Sequence, residues 1–352
     1  MHVARALAPA RFGDPATLAR RGDGVCNRSV LATETPARRD RRSVSLAVSR
    51  SLLLAALLSA CAVRTVPARP APVDVAIERD RQYAAAADRL LAYMERVARV
   101  GARVTVAAAP LCDGDVKPYV GILSASRVGL QRKLGRHGAW IDVGTALQSA
   151  WQLGPGTEVL VVLPDSPAAE AGIRAGDQVV AVDPGDDRPG APVAVEVQRG
   201  GSSLRKTLPY VPECDYDVQA TLGDFVNAHS SRDGVGITTG LLRFLESDDE
   251  LAAVIGHELA HEILGHRGGS GFRRREHAAD YLGVYLAARA GYDPAAAVRF
   301  VRRLAAEHPE LISDRASPAH PSTASRAKTI EETVVEIREK QRTGAPLVPE
   351  GI

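Results

Sequence analysis

The stretch SDDELAAVIGHELAHEILGH, residues 247–266, decides how the rest of the chain is read. Ser247 followed three residues later by Glu250 fits a capping box, and the pattern predicts a helix from there to about His266. His257 and His261 lie four apart on that helix, so both imidazoles share one face and reach a single ion. Glu258 follows the first histidine and reaches a water in an open coordination position. An HExxH string arises by chance about once in a hundred chains of this composition. Its place in the middle of a capped, amphipathic helix is not something chance arranges.

A catalytic zinc takes three protein ligands and keeps one position open. The extension typical of metzincins requires Gly at 264 and His at 267, and the sequence has Leu264 and Arg267 instead. The next predicted helix, 275–290, carries EHAAD, which places Glu276 and Asp280 one turn apart. Glu276 as third ligand, with Asp280 orienting a ligating histidine from behind, completes a His-His-Glu site holding one zinc per chain. Glu262, His266 and His277 are alternative third ligands. Between the two helices, 267–275 is Gly-rich and basic, and Arg273, Arg274 and Arg275 read as a solvated face. Further helices are expected at 294–307 and 321–341, and a short strand at Val235–Thr239.

With these elements in place, the C-terminal part resembles a known family. The run NAHSSRDGVGITTGLLRFLESDDELAAVIGHELAH, the EHAAD helix and SPAHPSTASR (317–326) follow one another in the order seen in the zinc metallopeptidases that include HtpX, the CAAX prenyl endopeptidases, the periplasmic BepA and the mitochondrial Oma-type quality-control proteases. The resemblance covers roughly 215–330. It implies that Glu258 takes a proton from the attacking water, and that His320 and Arg326 match a His-Pro…Arg motif. His320 then either donates to the developing oxyanion or fixes a turn, and Arg326 pairs with a carboxylate near the site. The resemblance also implies that the strand at 235–239 pairs with the substrate backbone. His229 departs from the pattern, since members more often carry an aromatic residue there.

Upstream, 118–212 reads as short β segments at 119–123, 159–163, 178–182, 193–198 and 204–210. SPAAEAGIRAGDQVVAVD (166–183) resembles the corresponding block of a bacterial PDZ domain, which implies capture of peptide C-termini or extended segments by strand addition. YVGI (119–122) and LGPG (153–156) are both candidates for the carboxylate loop. Trp140 and Trp151 are read as core. Before this module a helix is expected from about 75 to 100, ended by Gly101, with a strand at 103–109. Cys112 and Cys214 flank the module, and an even pair in an exported chain predicts a disulfide across its neck.

The first residues differ in character. Arg50, the apolar run Leu52–Leu58 and Ser59-Ala60-Cys61 form a secretory signal ending in a lipobox-like LSAC, with Cys61 the lipidated residue and 62–74 a Pro/Ala-rich tether. The signal begins far from Met1, so 1–42 is a candidate misassigned start. The run is too short to span a bilayer, which takes about 20 residues. A formal net charge of +2 over 352 residues and 4% aromatic content argue against nucleic acid as a partner.

The sequence therefore predicts an α+β protein, with a mainly helical gluzincin-type peptidase domain (75–117 and 213–345) and an inserted β-rich PDZ-like domain (118–212). The expected function is zinc-dependent cleavage of unfolded or misassembled proteins by an exported enzyme lipid-anchored in the cell envelope. The competing expectation is a catalytically silent, zinc-stabilised scaffold that recruits partners through the PDZ-like domain.

Overall fold

The structure, a computed structural model, describes residues 71–134, 139–183, 190–231, 234–266, 272–314 and 321–351. The leader, Cys61 and His320 lie outside the described residues.

Helix α1 (Pro72–Ala108) buries Val97, Val100, Gly101, Val104 and Ala108 along one stripe, at the three- and four-residue spacing of a core-facing helix. This overturns both the stop expected at Gly101 and the strand expected at 103–109. A Cβ on Gly101 would sit 2.9 Å from Cβ of Val218, so this glycine is a point of close approach and not a terminator. Burial of Val104 and Ala108 outweighs the roughly 1 kcal/mol that a glycine costs inside a helix.

The chain then forms β1 (Val116–Pro118), β2 (Ile122–Ser126), α2 (Arg127–Leu134), α3 (Ala139–Ala150), β3 (Thr157–Val162), the single-turn α4 (Pro167–Glu170), β4 (Gln178–Asp183), β5 (Val193–Arg199) and β6 (Ser202–Leu208). Strands β2 to β6 make one sheet in chain order, antiparallel throughout. Val193, Val195 and Val197 alternate inward on β5 and pack with Val159, Ala168, Ile173 and Leu208. Ser166 caps α4 by accepting from Ala169 N at 3.2 Å. Asp177, almost fully buried, is held by Arg199 at 2.6 and 2.7 Å and by the backbone N–H of Arg174 at 2.9 Å.

Helices α2 and α3 stand where the sequence pattern showed only β segments. Leu147 of α3 packs against Ala87 and Leu90 of α1, with Leu130, Val143 and Trp151 around them. The PDZ-like module is thus fastened to α1 by a helical pair.

Next, β7 (Pro212–Cys214) returns antiparallel to β1, pairing Cys214 with Val116. Cys112 and Cys214 are joined by a disulfide beside this pair, Cα to Cα 5.9 Å. Strands β8 (Val218–Thr221), β9 (Ala228–Ser231) and β10 (Gly234–Thr238) follow, then α5 (Thr239–Phe244), α6 (Asp248–Ile263), α7 (Phe272–Arg289), α8 (Ala296–Glu307) and α9 (Thr323–Thr343). Two apolar clusters hold these helices. One joins α1, the β8–β10 sheet, α6 and α7 through Val100, Ile237, Leu251, Ile255, Leu259, Leu282 and Leu286. The other joins α6 to α9 through Ala253, Tyr285, Val301, Ile330, Val334 and Ile337.

Candidate active site

The site is built where α6 and α7 cross antiparallel. The start of α6 is fixed by Ser247, whose Oγ accepts from Glu250 N at 3.2 Å, while Glu250 accepts from Glu246 N at 2.9 Å. Arg96 of α1 donates to Asp248 at 2.8 Å and to the Ser247 carbonyl at 2.9 Å, which clamps that end to the first helix. Further along, the helices touch backbone to backbone. A Cβ on Gly256 would lie 2.4 Å from the Gly283 carbonyl oxygen, and one on Gly283 would lie 2.6 Å from His257 N. Only glycine permits that approach, and it brings Glu276 and Asp280 of α7 level with His261 and His257 of α6.

Nε2 of His257 and Nε2 of His261 are 3.2 Å apart, and Glu276 places one oxygen 3.6 Å from the first and the other 3.5 Å from the second. Ligand atoms of these three residues all lie within 4.8 Å of one another. A tetrahedral ion bonded at about 2.0–2.2 Å requires donors separated by roughly 3.3–3.6 Å. The Nε2–Nε2 separation and the nearest carboxylate oxygen to each ring come close to that spacing, and two imidazoles with one carboxylate are a donor set that zinc accepts.

Behind the triangle, Asp280 Oδ1 lies 2.9 Å from His257 Nδ1. Arg326 of α9 grips the same carboxylate with two parallel bonds, at 2.6 and 2.9 Å. Burial pulls the Asp280 pKa up, but Arg326 and His257 outweigh it and bring it to about 2. His257 shows the complementary effect: burial lowers it, yet Asp280 and Glu276 hold it at about 10. His261 falls to about 3 through burial and the neighbouring His257. Glu258 is 8% exposed and burial raises its pKa.

The alternative third ligands are placed elsewhere. His277 directs Nδ1 to Thr329 Oγ1 at 2.9 Å and Nε2 to Ser325 Oγ at 3.4 Å, both on α9. His266 sits behind His261, Nδ1 to Nδ1 at 3.0 Å, and so meets the nitrogen that faces away from the triangle. Glu262 is buried on α6 but does not join the triangle.

The expected substrate-pairing strand needs correction. β10 is the middle strand of its sheet, parallel to β8 and antiparallel to β9, so its backbone is already paired on both sides. Among the described residues β9 is an outer strand of that sheet, and it packs on α6. Asn227 and Ala228, at the start of that strand, line the cavity beside His257 and Glu258. Asn227 Oδ1 is buried with no hydrogen-bond partner among the described residues. His229 packs its ring against Gly236 of β10, where an added Cβ would meet it at 2.4 Å. Its pKa is lowered by burial, as suits a neutral packing residue.

An HExxH helix crossed by a helix that supplies a glutamate ligand defines a metallopeptidase site of the gluzincin kind. The chain carries a domain of peptidase family M48, whose family model matches residues 196–270 and 269–334, and a PDZ domain, whose model matches residues 158–183. Mitochondrial metalloendopeptidase OMA1 of Arabidopsis thaliana is 30% identical over 151 residues, covering 31% of this chain and 31% of that one. The chain thus spans about a third of the length of this curated relative. The crystal structure of the HtrA3 PDZ domain bound to a phage-derived ligand (FGRWV) is 23% identical and covers 28% of this chain and 86% of that one; the TM-score of 0.17 is too low to bear on the fold.

Proposed function

We propose that the protein is a zinc-dependent endopeptidase that cleaves unfolded or misassembled proteins in the cell envelope. The observation that carries this reading is the triangle of His257, His261 and Glu276, braced by Asp280 and Arg326 and bordered by a buried Glu258. A bound zinc supplies Lewis acidity, making water acidic enough to lose a proton near neutral pH and polarising the scissile carbonyl. Glu258 takes that proton and delivers it to the departing amine. Asp280 keeps the His257 ring in one tautomer, with Nε2 free to ligate. As an outer strand among the described residues, β9 is placed to offer backbone groups to an extended substrate, which favours unfolded segments over folded ones.

Peptide capture by the PDZ-like module belongs to the same reading. YVGI precedes β2, the edge strand of its sheet, whereas LGPG precedes β3, which is flanked on both sides. Strand addition needs a free edge, so topology favours residues 119–122 as the carboxylate loop. There Gly121 has φ +81° and approaches Ser166 so closely that a Cβ would lie 2.1 Å from Ser166 Cβ. Anchoring through a lipid on Cys61 rests on the LSAC string at 58–61. Among the described residues no helix is long and apolar enough to cross a membrane.

The test is zinc content and casein cleavage of the purified protein beside Glu258→Gln. The expectation is one zinc per chain in both and a loss of cleavage of about 100-fold or more in the variant. Zinc in both proteins with cleavage in neither would instead favour the silent scaffold.

A further inference from the structure

A ligating imidazole bonds its ion through one nitrogen and keeps a hydrogen on the other, and that N–H needs an acceptor to fix the ring. For His257 the acceptor is Asp280, at its Nδ1. His261 turns Nε2 toward the triangle, and the group at its Nδ1 is His266, nitrogen to nitrogen at 3.0 Å.

The end of α6 builds this contact from the backbone up. Gly265 takes the left-handed conformation, with φ +62°. Its N–H donates to the Glu262 carbonyl at 3.0 Å, and the N–H of His266 donates to the His261 carbonyl at 2.9 Å. This pair of bonds is a Schellman turn, which folds the residue after the glycine back over the last turn of the helix. The side-chain contact across such a turn is commonly apolar. Here it joins two imidazoles, with ring centroids 5.2 Å apart and an interplanar angle of 62°. The string HEILGH, residues 261–266, thus carries a ligand, the glycine that reverses the chain, and the group that the reversal brings to the ligand's far side.

Resting on the zinc reading of the triangle, we propose that His266 is a positioning residue for the metal, whose Nδ1 accepts the N–H of His261 and holds that ring with Nε2 toward the ion. Once Nε2 of His261 is committed to a metal, the hydrogen in the 3.0 Å contact is the one on its Nδ1, so His266 is the acceptor. A neutral acceptor suits this place. Glu276 is in the triangle, Asp280 stands behind it, and Arg326 balances only one of the two. A carboxylate in place of His266 would add a negative charge that offsets the ion's own and lessens its pull on water. An imidazole orients the ring without adding that charge.

The test separates orientation from stability. His266→Asn puts Oδ1 where the imidazole has Nδ1, each bonded to Cγ, and so keeps the acceptor. His266→Gln carries its polar atoms one bond further out, and His266→Ala has none. The full chain and these variants are compared for zinc affinity by chelator competition, for the visible absorption of the cobalt-loaded form, and for the melting temperature of the metal-free form. His266→Ala and His266→Gln should lose about 10- to 100-fold in zinc affinity and shift the cobalt spectrum, while His266→Asn stays near wild type in both. Metal-free melting temperatures should not follow that order, as they would if His266 served the fold alone. Wild-type zinc affinity in His266→Ala, or a loss in His266→Asn as large as in His266→Gln, would overturn the proposal; the second comparison decides even where the alanine variant folds poorly. A wild type that takes up no zinc would overturn the metal reading and this proposal with it, whereas zinc held equally by every variant would overturn the proposal alone.

Discussion

Asp280 holds two partners at once, the Nδ1 edge of His257 and the guanidinium of Arg326, and so would brace the proposed metal centre. Removing its charge should be felt in metal binding more than in the ligand count, since all three ligands remain. Asp280→Asn keeps the shape but leaves Arg326 buried without its counter-charge and weakens the brace on His257. Zinc affinity, measured by competition with a chelator, should fall about 10- to 100-fold. Stability should fall as well, by about 3–5 kcal/mol, because a buried charge is left unpaired. Unchanged zinc affinity would show that Asp280 does not position the ligand. Such roles were unevenly legible beforehand. His257, Glu258 and His261 follow from spacing alone, since four residues on a helix bring two rings to one ion. Glu276 and Asp280 were readable as a pair one turn apart. What separated Glu276 from Glu262, His266 and His277 was packing, because His277 lies one residue from Glu276 yet faces α9. β9, the strand proposed to meet the substrate, was not picked out because its His-Ser-Ser gives no alternating apolar pattern.

The two helices that carry the ligands depend on Gly256 and Gly283, which meet where the backbones cross. Neither position needs glycine for its backbone angles, as both lie within α-helices, so the requirement is one of space. Gly283→Ala improves helix propensity by about 1 kcal/mol, yet its methyl group must fit where His257 N stands 2.6 Å away. Overpacking of this kind costs about 1–3 kcal/mol and here also separates Glu276 from the histidines. The expected outcome is a lower melting temperature together with loss of stoichiometric zinc in the purified variant. A variant that keeps wild-type zinc content and melting temperature would show that the crossing has slack. Glycines are also where reading elements from sequence goes wrong. Gly101 carries the ordinary signature of a helix end, and the Val-Thr-Val after it has strand propensity. Val218 reverses both signals by filling the place of a side chain. The capping box at Ser247 was legible because its signal is local, whereas the central place of β10 depends on β8 and β9 pairing with it. The helical pair α2–α3 went unread because its buried residues face α1, some fifty residues away in sequence.

The PDZ-like module is fixed to the peptidase domain at two places, the packing of α3 on α1 and the neck where β1 pairs with β7 beside the Cys112–Cys214 disulfide. That neck holds a carboxylate under unusual conditions. Glu213 pairs in register with Lys117, and its side chain turns inward to accept from Thr105 Oγ1 of α1 at 3.0 Å. Lys117 is drawn instead to Asp217, at 2.7 Å, and Asp215, at 3.3 Å. Burial, reinforced by those two acids and opposed by Thr105 and Lys117, raises the Glu213 pKa from 4.5 to about 7. A carboxyl raised in the folded state binds its proton more tightly there than in the unfolded chain. Its stabilising effect is therefore complete below about pH 4.5 and is lost as pH rises through about 7. The loss amounts to at most about 3 kcal/mol. Glu213→Gln is neutral at every pH and keeps an acceptor for Thr105, so it should remove this component of the pH dependence. Thermal unfolding of both proteins at pH 5.5 and pH 8.5 checks it, with the disulfide intact so that the same loop is closed in each. The variant should melt close to wild type at the lower pH and above it at the higher. Parallel behaviour at both values would mean that Glu213 stays ionised in the fold, with Lys117 near enough to compensate for its burial.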